Sequence, residues 1–213
     1  ERDNVIFNAS QMQKIDKIGK EQNNIFEKLL QIESTNNGIA LKRDYIGKPF
    51  SGILSALTEK HKCNINDKGI ISISGNILEN SLWGTLSSLV NFKYTGLSYH
   101  SKCEMNSYIC FDFKDHYISL SAYSLKSSNI PDPFFLKSWI VEGSTDKKEW
   151  IELDSHVNEQ TLCSLSTIHT FHIHQNEKTK IPFRFIRIKL TGPTSSHTYD
   201  IELTNIEFFG KYY

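Results

Sequence analysis

At 213 residues the chain has the length of one ordinary domain with a short appendage, and a second full domain does not fit. Its 24 Lys and Arg balance 24 Asp and Glu, so no global field draws in a phosphate backbone or an anionic lipid surface, and neither nucleic acid nor membrane is an expected partner. No apolar run approaches the roughly 18 residues of a membrane span, and the opening ERDNVIFNAS lacks the apolar stretch of a signal peptide.

The chain opens on Glu1 rather than Met, which points to a fragment of something longer. Residues 10–33 carry Ile15, Ile18, Gln22, Ile25, Leu29 and Ile32 at alternating steps of three and four, the seam spacing of a short coiled coil. Ser10 suits the N-cap, whereas Gly19 weakens the helix by about 1 kcal/mol relative to Ala. The stripe either packs on its own domain or joins copies of the chain, which makes a homo-oligomer one expected partner. STNNG at 34–38 then ends the helix, and residues 1–43 are read as a helical stalk.

A second helical pattern lies in FSGILSALTEKHK, where Phe50, Ile53, Leu54 and Leu57 fall at i, i+3, i+4 and i+7. From there the chain reads as strands: GIISISG, YICFDF, HYISLSAYSL, KSWIVEG, EWIELD, HTFHIH, RFIRIKL and IELTNIEFFG, short runs rich in β-branched and aromatic residues between polar loops. Alternation gives Ile109, Phe111 and Phe113 one face, as it does Ile118, Leu120 and Ala122, and Ile186, Ile188 and Leu190. In IELTNIEFF the apolar spacing slips by one at Thr204 and Asn205, which predicts a β-bulge there. With no alternation of strands and helices, the expected fold is mainly β, a jelly-roll sandwich of about eight strands behind an N-terminal helix. Trp139 and Trp150 flank the STDKKE turn of a hairpin, and both are read as packing residues.

Segments 108–114 (YICFDFK), YSLKSS, LKSWIVEGSTDKKEWIELD, FRFIRIKLTGP and IEFFG, in this order and at these distances, resemble the discoidin domain, also called the coagulation-factor type C domain, of the galactose-binding-like superfamily. The resemblance spans Asp44 to Gly210 and places the domain at residues 44–213. PFSGILSALTEKHKCNINDKGII is similar to the entry segment of intracellular protist discoidin proteins that stand behind a BTB domain and a helical linker. Secreted discoidin domains tie their ends with a disulfide, and neither Asp44 nor IEFFGKYY brings a cysteine to that position, which favours an intracellular, cytoplasmic setting. There the Asn8 sequon carries little meaning.

By that resemblance, ligands bind to loops at one end of the sandwich, here 91–107, 124–135 and 191–200. These hold Tyr94, Tyr99, His100, Asn129, Phe134, His197 and Tyr199, ring and hydrogen-bonding types suited to sugar faces or peptide anchors, or to closing the sandwich end over its core. His172 and His174 share a strand face that could supply two metal ligands, but no third is fixed by the sequence, so they read as a solvent face and no metal is expected. Cys63, Cys103, Cys110 and Cys163 form no CxxC pair and read as small buried hydrophobes in a reducing compartment, although their even number permits disulfides. GxSxG, HExxH, a P-loop and GxGxxG are all missing. The expectation is a non-catalytic interaction module with a protein partner and no cofactor, no structural calcium being indicated. The alternative is a lectin-like carbohydrate-binding module.

Overall fold

A computed structural model describes Lys20 and residues 41–78, 84–93, 96, 98–130 and 134–213. The expected seam of Ile15, Ile18, Gln22, Ile25, Leu29 and Ile32 lies outside the described residues, as does Tyr94. Ten strands are described, β1 (Leu41–Arg43), β2 (Ser72–Gly75), β3 (Tyr99–His100), β4 (Tyr108–Asp112), β5 (Ile118–Ser127), β6 (Trp139–Ser144), β7 (Ile151–His156), β8 (Ile168–His172), β9 (Phe185–Leu190) and β10 (Glu202–Tyr212), with one helix, α1 (Ile53–His61). They form two five-stranded antiparallel sheets, a β-sandwich as the alternation predicts. The first runs β1-β10-β5-β8 with β3 also on β10, and the second β2-β4-β9-β6-β7. All eight runs read as strands are strands. The sheet starts at Leu41, a little before the expected start of the domain at Asp44, because Leu41 to Arg43 pair with Tyr212 to Gly210.

The inner faces are those the alternation assigns: Ile109, Phe111, Phe113, Ile118, Ile186, Ile188 and Leu190 are fully buried. Phe111 of one sheet meets Phe208 of the other edge to face, with ring centroids 4.8 Å apart. The register of β10 against β5 slips between Leu203 and Asn205, so Leu203 and Ile206 can both lie in the core.

β10 is buried on both faces, because α1 and the 3-10 turn Leu86–Val90 cover its outer side. The helix begins at Ile53, three residues later than the Phe50 of its sequence pattern, and Phe50 packs instead on Phe92 with centroids 5.6 Å apart. No side chain of its own segment caps α1. Glu207 of β10, fully buried, does so: its carboxylate accepts hydrogen bonds from the backbone N–H groups of Gly52 (3.1 Å), Leu54 (2.8 Å) and Ser55 (3.1 Å), and from its neighbour Phe208 (2.9 Å). Gly52 permits this approach, since a Cβ there would stand 2.2 Å from the Phe208 carbonyl oxygen.

All four cysteines are free. Cys110 on β4 is buried, as expected, whereas Cys63 and Cys163 are only partly buried and Cys103, in the loop after β3, is exposed. The two tryptophans also part company. Trp139 is fully buried, its indole N–H donating to the Tyr123 hydroxyl (3.0 Å). Trp150 precedes β7, is only half-buried, and lies on the guanidinium of Arg187, 3.8 Å from ring centroid to Cζ. Packing is its role, but on the outer face of the second sheet and not in the core.

Candidate functional site at the loop end

The segments after β3, after β5 and between β9 and β10 converge at one end of the sandwich, because β3 and β5 flank the start of β10 in one sheet. Backbone bonds fasten them: Ser101 N–H donates to the Ile201 carbonyl (3.0 Å), Glu104 N–H to that of Tyr199 (3.1 Å) and Ser195 N–H to that of Phe135 (3.0 Å). The three loops expected from the sequence therefore meet, with one division. Asn91, Phe92 and Lys93 leave the loop end and line a cleft of about 620 Å³ against α1.

Polar side chains brace the junction. His100 Nε2 lies 2.5 Å from an Asp200 carboxylate oxygen, whose other oxygen accepts from the Thr198 hydroxyl. Burial pulls the Asp200 pKa up, but the hydrogen bonds of His100 and Thr198 and the His100 charge outweigh it and hold it below its ordinary 3.8. Glu202, also buried, accepts from the Ser128 hydroxyl and from Phe134 N–H (2.9 Å). Beneath them Ser98 joins Ser128 (3.4 Å), Asn129 (2.9 Å) and Thr204 (3.1 Å). These bonds leave the buried polar groups of the junction satisfied and hold it in one arrangement.

The expected contact residues fall into two groups. Tyr99 is core: 2% exposed, it points inward from β3 and its hydroxyl donates to the Asn76 carbonyl (3.2 Å), and burial raises its pKa well above the ordinary 10.0. Asn129 spends its amide within the loops, donating to the Gly96 carbonyl (2.8 Å) and accepting from Ser98. His100 is nearly covered, with Phe134 at 5.1 Å between ring centroids. Phe134 and Tyr199 are half-buried, and His197 is exposed in a left-handed turn (φ 61°). Ile77 (57% exposed) and Met105 (72%) flank Ser101 and Glu104 in chain or bridge position, adding an apolar rim. His172 and His174 are exposed while Phe171 and Ile173 are buried, the solvent-face arrangement expected of them.

Sequence reasoning missed Asp200, Glu202, Ser98, Ser128 and Thr204. Glu202 and Thr204 alternate with Ile201 and Leu203, a pattern that reads as a solvent face, and only the neighbouring loops bury them. Replacing Asp200 with Asn is expected to cost about 1 kcal/mol at pH 7. Because the carboxylate is held below its ordinary pKa, its contribution is present above about pH 4 and is lost as pH falls further. Thermal unfolding from pH 7 to pH 3 should therefore show a shallower acid decline in the Asn variant, and parallel curves would refute the assignment.

No protein-family model matches the chain. Among solved structures, the fold is similar to an F-lectin (fucolectin) from striped bass serum (Morone saxatilis; TM-score 0.53, 12% identity, 66% of this chain and 47% of that one). It is likewise similar to the module CBM32-3 of a family 31 glycoside hydrolase from Clostridium perfringens (TM-score 0.51, 11% identity, 68% and 94%). A family 32 carbohydrate-binding module of C. perfringens NanJ, solved with galactose, also matches (TM-score 0.50, 9% identity, 68% and 96%). These likenesses agree with the mainly β jelly-roll sandwich expected from the sequence. Among curated proteins, the chain is 24% identical over 144 residues to the E3 ubiquitin-protein ligase Ufd4 of Drosophila melanogaster. It is 26% identical over 129 residues to the E3 ubiquitin-protein ligase hecd-1 of Caenorhabditis elegans, and 28% over 101 residues to a BTB/POZ domain-containing protein of Arabidopsis thaliana. These matches cover 67%, 60% and 46% of this chain but only 5%, 5% and 12% of the relatives.

Proposed function

We propose that the domain is a non-catalytic carbohydrate-binding module whose ligand sits on the loop end. The observation that carries this reading is the braced junction itself: three loops fixed to one another by buried side chains, with Phe134, Tyr199 and His197 left partly or fully open above them. Half-buried rings offer a face to the apolar side of a sugar, and an exposed imidazole bonds its hydroxyls. Carbohydrate-binding and lectin structures on the same fold support the choice of ligand class. On a glycan array the chain is expected to bind saturably, and Phe134→Ala or His197→Ala to weaken binding about tenfold. Unchanged binding in both variants would move the site elsewhere. Tyr99→Ala is the wrong probe, because it removes core.

A second reading is favoured by the curated relatives: a recognition module of an intracellular multidomain protein, binding a protein segment through the same loops. The BTB-linked arrangement, the cytoplasmic setting and self-association through residues 10–33 belong to this reading. A chain that ignores the whole array yet binds a peptide in a manner sensitive to Phe134→Ala would establish it. Sedimentation with and without residues 1–40 tests the stalk, and two monomers would sink it.

A further inference from the structure

The outer face of the second sheet carries a feature that the loop end does not use. β9 runs from Phe185, beside the 144–150 turn, to Leu190, which leads into the loop end, so this face is approached from the side of the sandwich. Across it, Ser74 of β2 pairs with Cys110 of β4, Cys110 with Arg187 of β9, and Arg187 with Glu142 of β6. Side chains opposite one another in register share a face, and this row floors a dish of about 170 Å³ lined by Ser74, Tyr108, Cys110, Lys147, Trp150 and Arg187.

The cations of the dish are held in place before any ligand arrives. Arg187 directs Nε (2.8 Å) and Nη2 (2.7 Å) at one oxygen of Glu142, lies 3.8 Å from the Trp150 ring centroid and 5.9 Å from that of Tyr108. A guanidinium has five N–H donors, so its remaining edge is available. Lys147 is presented by the hairpin turn: it sits at φ 65°, its N–H bonded to Ser144 Oγ (3.0 Å), and Asp146 fixes the turn by accepting from Lys148 (2.8 Å) and Glu149 (3.1 Å). Its ammonium is 5.0 Å from the Phe185 centroid and forms no ion pair among the described residues. Glu142 offsets Arg187, and Arg184 nearby is occupied by Asp112 at 2.8 and 3.1 Å, which leaves Lys147 as the lining cation without an ion pair among the described residues. Both cations reach the floor: burial lifts the Cys110 thiol to about 11, and Lys147 and Arg187 act against that rise. The thiol is neutral near pH 7 and serves as floor rather than as nucleophile.

We propose that this dish is a binding site for a tetrahedral oxyanion, a phosphate or sulfate group carried on a larger ligand, gripped by Lys147, the free edge of Arg187 and the Ser74 hydroxyl between the walls of Tyr108 and Trp150. Its volume suits the anionic group with the first atoms of whatever bears it, and both cations can give that group charge-assisted hydrogen bonds.

The test is an NMR titration of the full chain with inorganic phosphate and, separately, with sulfate, at ionic strength held constant with chloride. The Trp150 indole N–H and the Arg187 Nε–H are expected to shift saturably with one or both oxyanions. Lys147→Ala is expected to weaken binding about tenfold, as is Arg187→Lys, which keeps the charge but loses the fork and the stack. Lys178→Ala, on an exposed turn, and Phe134→Ala, at the loop end, should leave it unchanged. Shifts that are linear and reproduced by chloride, or an affinity indifferent to Lys147→Ala in a folded variant, would overturn the site.

Discussion

Replacing Glu207 with Ala is expected to lower the unfolding free energy by about 3 kcal/mol, read as a fall in the urea midpoint at unchanged slope. The carboxylate is fully buried and accepts from Gly52, Leu54, Ser55 and Phe208, so truncation strands several backbone donors at once. Three of them belong to the start of α1, which has no cap of its own. Glu207→Gln keeps the shape and one acceptor oxygen, but it turns an amide donor toward Gly52 and Ser55 N–H, so it is expected to cost nearly as much, about 2 kcal/mol. A variant as stable as the parent would mean that water, not Glu207, satisfies the helix start.

The same residue predicts a pH dependence. Burial raises its pKa above the ordinary 4.5, against the pull of the Ser55, Phe208 and Leu54 hydrogen bonds. A folded state that holds a proton more tightly than the unfolded one loses that share of stability as pH rises from 4.5 through the folded pKa. The difference in unfolding free energy between the parent and Glu207→Gln should therefore narrow as pH rises from 4.5 toward neutrality, and a constant difference would show that Glu207 does not titrate in this way.

Trp139→Ala should cost about 4 kcal/mol, at the high end for a single core truncation. The ring is fully buried, stacked on His156 at 4.5 Å and edge-on to Phe171 at 5.2 Å. Its indole N–H donates to Tyr123, whose hydroxyl donates to Asp154 (2.9 Å), and the other carboxylate neighbour, His156 Nε2, stands 2.8 Å from the same oxygen. The substitution opens a cavity and also breaks a polar chain that ties β5 to β7 across the sandwich. Trp150→Ala, on the outer face, is expected to cost about 1 kcal/mol, the scale of an exposed cation–π contact. Comparison of the two denaturation midpoints checks the ordering, and equal losses would contradict the placement of the two rings.

Those two residues mark where the sequence is legible. Alternation assigns inward faces correctly for Ile109, Phe111 and Phe113 because a two-residue period is local, and the slip at Thr204 and Asn205 announces its bulge for the same reason. It cannot distinguish Trp139 from Trp150, since what covers Trp150 is Arg187, brought in from a distant strand. The loop end behaves alike. Resemblance places the three loops together, but the bracing by Asp200 and Glu202 depends on partners about 70 to 100 positions away, His100 and Phe134. Tyr99 looks like a contact residue because it is aromatic and next to a loop, and only its pairing with Leu203 turns it inward.

The position of β10 has a consequence for biogenesis. Although it is the last strand in the chain order, it lies between β1 and β5 in the middle of its sheet and supplies the cap of α1. Until about residue 212 has left the ribosome, β1 and β5 have no partner between them and α1 has no base to pack on. The nascent sheet is then an open edge, the form most prone to pairing with the wrong chain. Folding must wait for synthesis of the whole domain, and its many long-range pairings place it among slowly folding topologies.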